Sequence, residues 1–382
     1  MTLPAKPSVL VVGAGAFGGW TALSLLRRGA RVTLVDAWGP GNLRSSSGGE
    51  SRIIRGTYGP SQPYSRMAAR AMQLWREHET RWQLQLLHRT GVLWLVTAES
   101  DGFERGSLPC LEEAGFAYQE LSVTELCRRW PQIHLEDVRW GIYEPEGGFL
   151  RAQLACQAVV RGFISEGGEY EQAHVLGDGL ESGARNGVTL HDGRMLRADY
   201  YVFACGPWLG KLFPETIGDR IHPTKQDVFF FGTPPGNDSF SENNLPVWAD
   251  HGARFIYGMP ASEGRGFKIA DDTRGPEFDP TSGERMVGTD GLRAIREYLG
   301  FRFPGMKNAP LIETRVCQYE NSPDNHFIID HHPHADNVWI IGGGSGHGFK
   351  HGPAVGEMVT ALVMDGKRSD PCFRLARLDP AR

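Results

Sequence analysis

Two stretches of this chain hold residues whose types and spacing can do chemistry. Near the start, Gly13-Ala14-Gly15-Ala16-Phe17-Gly18 follows an apolar run and opens a segment of helical character. In such a pattern Gly13 permits a tight turn, Gly15 lets the backbone approach a pyrophosphate, and Gly18 lets helix and strand pack closely. The helix start offers free N–H groups and partial positive charge to phosphates. Asp36 stands at the spacing of a carboxylate that binds ribose hydroxyls. The pattern marks a dinucleotide site and does not choose between NAD and FAD. Near the end, residues 313–350 read ETRVCQYENSPDNHFIIDHHPHADNVWIIGGGSGHGFK. One cysteine, Cys317, precedes a strand, a Gly-rich loop and His347-Gly348-Phe349-Lys350. On residue type alone, a lone cysteine is most often a buried structural thiol, and cations such as Arg55 and Lys350 most often lie on the surface.

The elements that must position these groups can be read from apolar spacing. Residues 8–12 read as a buried parallel strand, 17–28 as a helix closed by Gly29, and 31–36 as the next strand, completing a βαβ unit. Residues 64–82 are predicted helical, with Met67, Ala71, Leu74, Trp75 and His78 forming a core-facing stripe. Strands are expected at 92–96 and 141–143, bracketing a helical insert, and at 197–204, 225–232, 254–257 and 337–341. Helices are expected at 151–162 and 353–364, and a loop rich in Asp, Gly and Pro at 272–285. Nucleotide signals at both ends and in the middle imply a discontinuous cofactor domain with a second lobe inserted into it.

At 382 residues the chain is long enough for two lobes, and 40% apolar with 22% charged residues is ordinary globular composition. A net charge of -5 argues against nucleic acid or an anionic membrane as partner. The six cysteines are scattered without a C-x-x-C pair, which fits a reducing cytoplasm and suggests neither zinc nor a disulfide framework. The apolar run over 9–26 is broken by Gly13, Gly15, Gly18 and Gly19, so neither a signal peptide nor a membrane span is expected.

Glu50-Ser51-Arg52-Ile53-Ile54-Arg55, Cys317 shortly before His326-Phe327-Ile328-Ile329-Asp330, and Ser345-Gly346-His347-Gly348-Phe349-Lys350 together resemble the monomeric sarcosine oxidase family. That family lies in the D-amino-acid-oxidase-like group of FAD enzymes, with N-methyltryptophan and pipecolate oxidases, and the similarity runs nearly end to end. The resemblance implies an α/β fold: a Rossmann-type FAD-binding domain over 1–85, 148–216 and 316–382, with an inserted antiparallel-sheet (α+β) substrate domain over 86–147 and 217–315. It also implies roles, position by position. Cys317 matches the cysteine that forms a thioether to the flavin 8α-methyl. Arg55 and Lys350 match the pair that holds the substrate carboxylate, a task suited to a guanidinium fork and an ammonium. Arg52 matches an arginine that stabilises reduced flavin, and Glu50 is either its partner or a plain loop carboxylate. Lys268, in Arg265-Gly266-Phe267-Lys268-Ile269, matches the lysine that activates dioxygen by stabilising superoxide as it forms. Tyr257 matches an aromatic pocket wall. His347 matches a histidine beside the flavin, within a segment whose Gly346, Gly348 and Lys350 also approach the cofactor.

The implied activity is oxidation of an N-methyl or cyclic amino acid to an imine that hydrolyses, with dioxygen reduced to hydrogen peroxide, by a monomer. The alternative is a dehydrogenase that passes electrons to an acceptor other than oxygen. Two departures weigh against sarcosine itself. After Lys268 the chain reads Ile269-Ala270-Asp271-Asp272, where the family carries a histidine, and Trp248 stands where it carries a smaller methionine in the substrate lid. Asp272 could receive a second cationic group or cap a loop, and Trp248 could narrow the pocket or stack on a ring. The run His326, His331, His332 and His334 invites a metal assignment. Strand alternation would point Asp330 and His331 apart, and the family has no metal there, so none is expected.

Overall fold

In the computed structural model, which describes residues 6–97, 101–184 and 187–378, the expected βαβ unit opens the chain. Strand Ser8–Val12 lies parallel to both Arg31–Asp36 and Tyr200–Phe203. Glu169–Gln172 and Ala335–Gly342 extend the sheet in parallel on either side, and Ile328–His332 adds an antiparallel edge. A parallel sheet must be covered on both faces, and this one is. Helices Ala16–Arg27, Ala152–Ser165 and Gly352–Asp365 bury one face together with Gln62–Trp82, around Trp20, Trp75 and Phe163. Val188, Leu190, Leu209 and Phe213 cover the other. Gly13 adopts φ +105°, and a Cβ there would lie 2.3 Å from the Ala204 carbonyl oxygen. A Cβ on Gly18 would fall 1.9 Å from the Gly13 carbonyl oxygen, so only glycine lets the first helix dock against its own turn.

The second lobe is built on an eight-stranded sheet whose spatial order is Leu311–Asn321, His222–Phe231, Phe267–Asp271, Phe255–Met259, Val247–His251, Val92–Val96, Trp140–Glu144 and Gln119–Ser122. Neighbours are antiparallel except Val247–His251 beside Val92–Val96. Helix Thr289–Arg302, not anticipated from the sequence, covers one face, where Ile295 and Leu299 meet Phe267, Phe303 and Trp248. Its apolar residues are too few and too interrupted by charge to signal a helix alone. It ends on the buried Arg302, held by Asp250 at 2.7 Å and Asp137 at 2.8 Å, which satisfies an otherwise prohibitive buried charge.

A small sheet of Ser51–Ile54, Gly148–Arg151 and Leu87–His88 joins the lobes and carries Arg52 to their seam. Residue 316, where a boundary was expected, lies inside strand Leu311–Asn321, which stays paired with His222–Phe231 through Asn321. Strand pairing is continuous, so Cys317 belongs by hydrogen bonding to the second lobe while facing the first. Among the described residues no helix is long and apolar enough to cross a membrane.

Candidate active site

The glycine turn opens on a cavity of about 440 Å³ that runs from Asp36 and Trp38 past Gly15 to Arg52 and Tyr319. Asp36 closes its strand and holds the turn itself. One carboxylate oxygen accepts the Ala14 N–H at 2.8 Å, and the other accepts those of Trp38 at 2.9 Å and Gly39 at 2.8 Å. Burial raises its pKa while these donors pull the other way. Ser47 Oγ accepts the Ala16 N–H at 3.1 Å at the helix start. The hydroxyl of Ser46 and one oxygen of Glu320, both in the cavity wall, are buried without a partner. Buried polar atoms are normally satisfied, so a wall with two orphans fits a ligand rich in hydroxyls and phosphates, as FAD is. Gly346 and Gly348 also line this cavity, and a Cβ on either would strike the ring of Tyr319 at 2.6 Å or Phe17 at 2.8 Å.

Two cations gather at the far end. Arg52 donates to the carbonyls of Ser51 at 2.9 Å and Ser46 at 2.7 Å, and lies 3.2 Å from Cys317 Sγ. Burial opposes its charge, but Cys317, Tyr257, Tyr319 and Glu50 around it hold its pKa up. Glu50 itself pairs with Arg315 at 3.0 Å and Arg265 at 3.4 Å, so it is not the direct partner of Arg52. Lys268 is 3% exposed, and its Nζ donates to the same Ser51 carbonyl at 2.9 Å. Burial, helped by Arg52, pushes this ammonium down to about 7.

A second cavity of about 440 Å³ lies beside Tyr319, with aromatic walls formed by Tyr58, Tyr64, Trp94, Phe103 and Phe255. Arg55 emerges where Ser51–Ile54 ends, bonds the Thr57 carbonyl, and lies 4.3 Å from the Tyr58 ring centroid and 4.9 Å from that of Trp94. Lys350 reaches the same tyrosine, donating to Tyr58 Oη at 2.7 Å and to the His347 carbonyl at 2.8 Å. Burial and Arg55 depress its pKa strongly. Its backbone is anchored from behind, because Trp75 Nε1 donates to the Lys350 carbonyl at 2.8 Å. Trp75 is therefore the core residue its helical spacing implies, and also a fixed support for this turn.

His347 lies on Phe327, ring centroids 4.9 Å apart, with Nε2 3.0 Å from the Asn325 carbonyl. A carbonyl can only accept, so Nε2 carries the proton and Nδ1, buried without a partner, keeps its lone pair. Burial and Lys350 push this imidazole down to about 3, which keeps it neutral. Asp272 follows strand Phe267–Asp271 and accepts from Tyr319 Oη at 2.6 Å. Tyr257, on the adjacent strand, has its phenol pKa raised by burial and by Asp272.

The structure thus gathers Arg52, Arg55, Tyr257, Lys268, Asp272, Cys317, His347 and Lys350 at one seam. Trp248 does not join them. It is fully buried against Phe303, ring centroids 4.9 Å apart, in the core under helix Thr289–Arg302. Along its strand Val247 and Ala249 face the side of Trp94, so alternation sends Trp248 the other way. The indole that forms a cavity wall is Trp94, which the sequence reading took only as strand content. Of the histidine run, His332 packs inward against Thr216 and Glu181, and only His326 lines the aromatic cavity.

Glu320 was also missed, since a carboxylate inside a strand carries no local signal. Its Oε1 accepts the Gly344 N–H at 3.2 Å while Oε2 is the orphan in the cofactor cavity. Burial pushes its carboxyl from 4.5 up to about 7. The folded chain therefore keeps a proton that the unfolded chain loses, so this group favours folding below pH 4.5 and loses that effect as pH rises through 7. Glu320→Gln should remove the loss, raising stability at pH 8 by on the order of 3 kcal/mol relative to pH 4. Urea unfolding midpoints of both proteins across that range measure it.

A Rossmann-type lobe and a mainly antiparallel lobe meet at these cavities, and the chain belongs to the FAD-dependent oxidoreductase family, whose sequence profile matches residues 8–362. Its relatives include the monomeric sarcosine oxidase of a Bacillus species, 30% identical over 368 residues covering 94% of this chain and 92% of that protein. The N-methyl-L-tryptophan oxidase of Citrobacter koseri is 31% identical over 378 residues, 97% of each. The crystal structure of L-proline dehydrogenase from P. horikoshii superposes with a TM-score of 0.81 at 22% identity, covering 98% of both chains, a likeness of fold.

Proposed function

We propose that this chain is an FAD-dependent oxidase of a secondary amino acid, N-methylated or cyclic, that yields an imine and hydrogen peroxide. The observation that carries the reading is the convergence of Arg55, over the Tyr58 ring, and Lys350, bonded to the Tyr58 hydroxyl, beside an aromatic cavity. Two cations held by one phenol make a carboxylate subsite, and a carboxylate fixed there orients the neighbouring C–N bond. The aromatic walls exclude water and leave room for more than an N-methyl group. When bound, FAD supplies the two-electron oxidation of that bond and the onward transfer to dioxygen. Lys268 places its charge at the same seam and favours the oxygen half-reaction. The relatives named as sarcosine and N-methyltryptophan oxidases support a secondary amine as substrate.

Cys317 is the residue for the covalent link. With FAD bound, Cys317 would hold it through a thioether, a two-electron oxidation for which dioxygen would serve as the oxidant. The Arg52 guanidinium donates to this sulfur at 3.2 Å and so fixes its position at the seam.

An anaerobic spectral titration with sarcosine and L-pipecolate, followed by air, tests the reading. Bleaching of the flavin band with rapid recovery is the expected result, and acid precipitation should carry the colour down with the protein. Bleaching with slow recovery would replace the oxidase by a dehydrogenase. No bleaching by either would require a different amine.

A further inference from the structure

Arg55 and Lys350 account for one end of an amino acid, but the aromatic cavity also contains a carboxyl group. Asp272 lines it, with Tyr319 engaging Oδ1 at 2.6 Å and leaving Oδ2 to the cavity. Its backbone is fixed as well, since its N–H donates to the Phe255 carbonyl at 2.7 Å. The groups that bear on it come from every side. Tyr319 lies on strand Leu311–Asn321, Tyr257 on the strand paired with Phe267–Asp271, and Asp271 next to it in sequence; Arg55, Arg274, His251, His326, His347 and Asp324, the last paired with Arg377, line the same cavity, and Lys350 acts from its Tyr58 wall. An amino acid in water is a zwitterion whose ammonium sits one carbon from its carboxylate. Asp272 in the cavity wall, within electrostatic reach of Arg55 and Lys350, has the complementary pattern.

We propose that Asp272 receives the ammonium group of the substrate and takes its proton, so that the amine reacts as the free base. An N–H bond breaks, its electron pair stays on nitrogen, and the proton passes to Oδ2. The inference rests on the amino-acid reading above and adds to it the group that prepares the amine. Burial raises the Asp272 carboxyl to about 6, against the pull of Tyr319, Arg55 and Lys350. A carboxyl of that strength is ionised at neutral pH and still basic enough to accept a proton from an amine held against it.

The test uses the flavin-loaded enzyme and two non-oxidised ligands of the same shape. Glycine betaine carries a fixed cation beside its carboxylate, and 3,3-dimethylbutyrate carries none. Dissociation constants come from perturbation of the flavin absorbance. A group titrating near 6 goes from about a quarter ionised at pH 5.5 to almost fully ionised at pH 8. The preference for betaine should therefore rise about threefold over that range. At pH 8 Asp272→Asn should lower it by about tenfold. Tyr319→Phe removes a donor that favours the ionised carboxyl, so the midpoint of the preference should move to higher pH. A preference that ignores pH in the wild type, survives Asp272→Asn, or keeps its midpoint in Tyr319→Phe overturns the inference. Should Asp272→Asn fail to yield a flavoprotein, Tyr319→Phe decides alone. If neither acid perturbs the spectrum, the carboxylate subsite itself is wrong, and the inference falls with it.

Discussion

Arg55→Met should lower kcat/KM for an amino acid substrate by about two to three orders of magnitude, mostly through KM, because a charge-assisted pair is worth several kcal/mol in a water-poor site. The flavin should stay bound, since Arg55 lies in the aromatic cavity and not in the cofactor cavity. Arg55→Lys keeps the charge but loses the fork and the stacking on Tyr58 and Trp94, so it should recover only part of the loss. Steady-state kinetics with the preferred substrate, alongside the flavin-to-protein absorbance ratio, measure both effects. Equal losses in kcat and in flavin content would instead make Arg55 a structural residue.

Lys268→Met should slow reoxidation of the reduced enzyme by about two to three orders of magnitude while leaving anaerobic reduction by substrate within a few fold. The separation follows from position. Lys268 is bonded to Ser51 at the seam and does not line the aromatic cavity. Because burial lowers its pKa to about 7, the ammonium is the main form below that pH and is lost above it. Oxygen reactivity of the wild type should accordingly fall as pH climbs past 7, whereas Lys268→Arg should show no such fall. Stopped-flow mixing of reduced enzyme with oxygenated buffer between pH 6 and 9 checks the direction.

Much of the first lobe was legible because its constraints are local. A glycine forced to φ +105° between two strands, a helix that can only dock on glycine, and a carboxylate closing the second strand all lie within 36 residues. The seam was legible only through the resemblance, since Arg52, Lys268 and Cys317 come from three distant segments and nothing in their spacing says that they meet. What stayed hidden depends on which way a strand faces. Trp248 and Trp94 lie on adjacent strands paired in register, Trp248 opposite Leu93 and Trp94 opposite Ala249. One residue of offset therefore sends one indole into the core and the other to the cavity. Tyr58 could not be identified either, because a phenol shared by two cations 295 positions apart leaves no mark in a local pattern.

The strand Leu311–Asn321 has a consequence for how this protein can change over time. Its successive side chains alternate in duty: Cys317 faces Arg52, Gln318 and Glu320 turn to the cofactor cavity, and Tyr319 pins Asp272. A slip of one residue exchanges the two faces of a strand entirely. A single deleted codon ahead of Cys317 would present Glu320 where the phenol belongs, an inserted one would present Gln318, and either would withdraw the thiol from the seam. Loops elsewhere can lengthen or shorten freely, but this segment can diverge only by substitution, one letter at a time, with its reading length held constant.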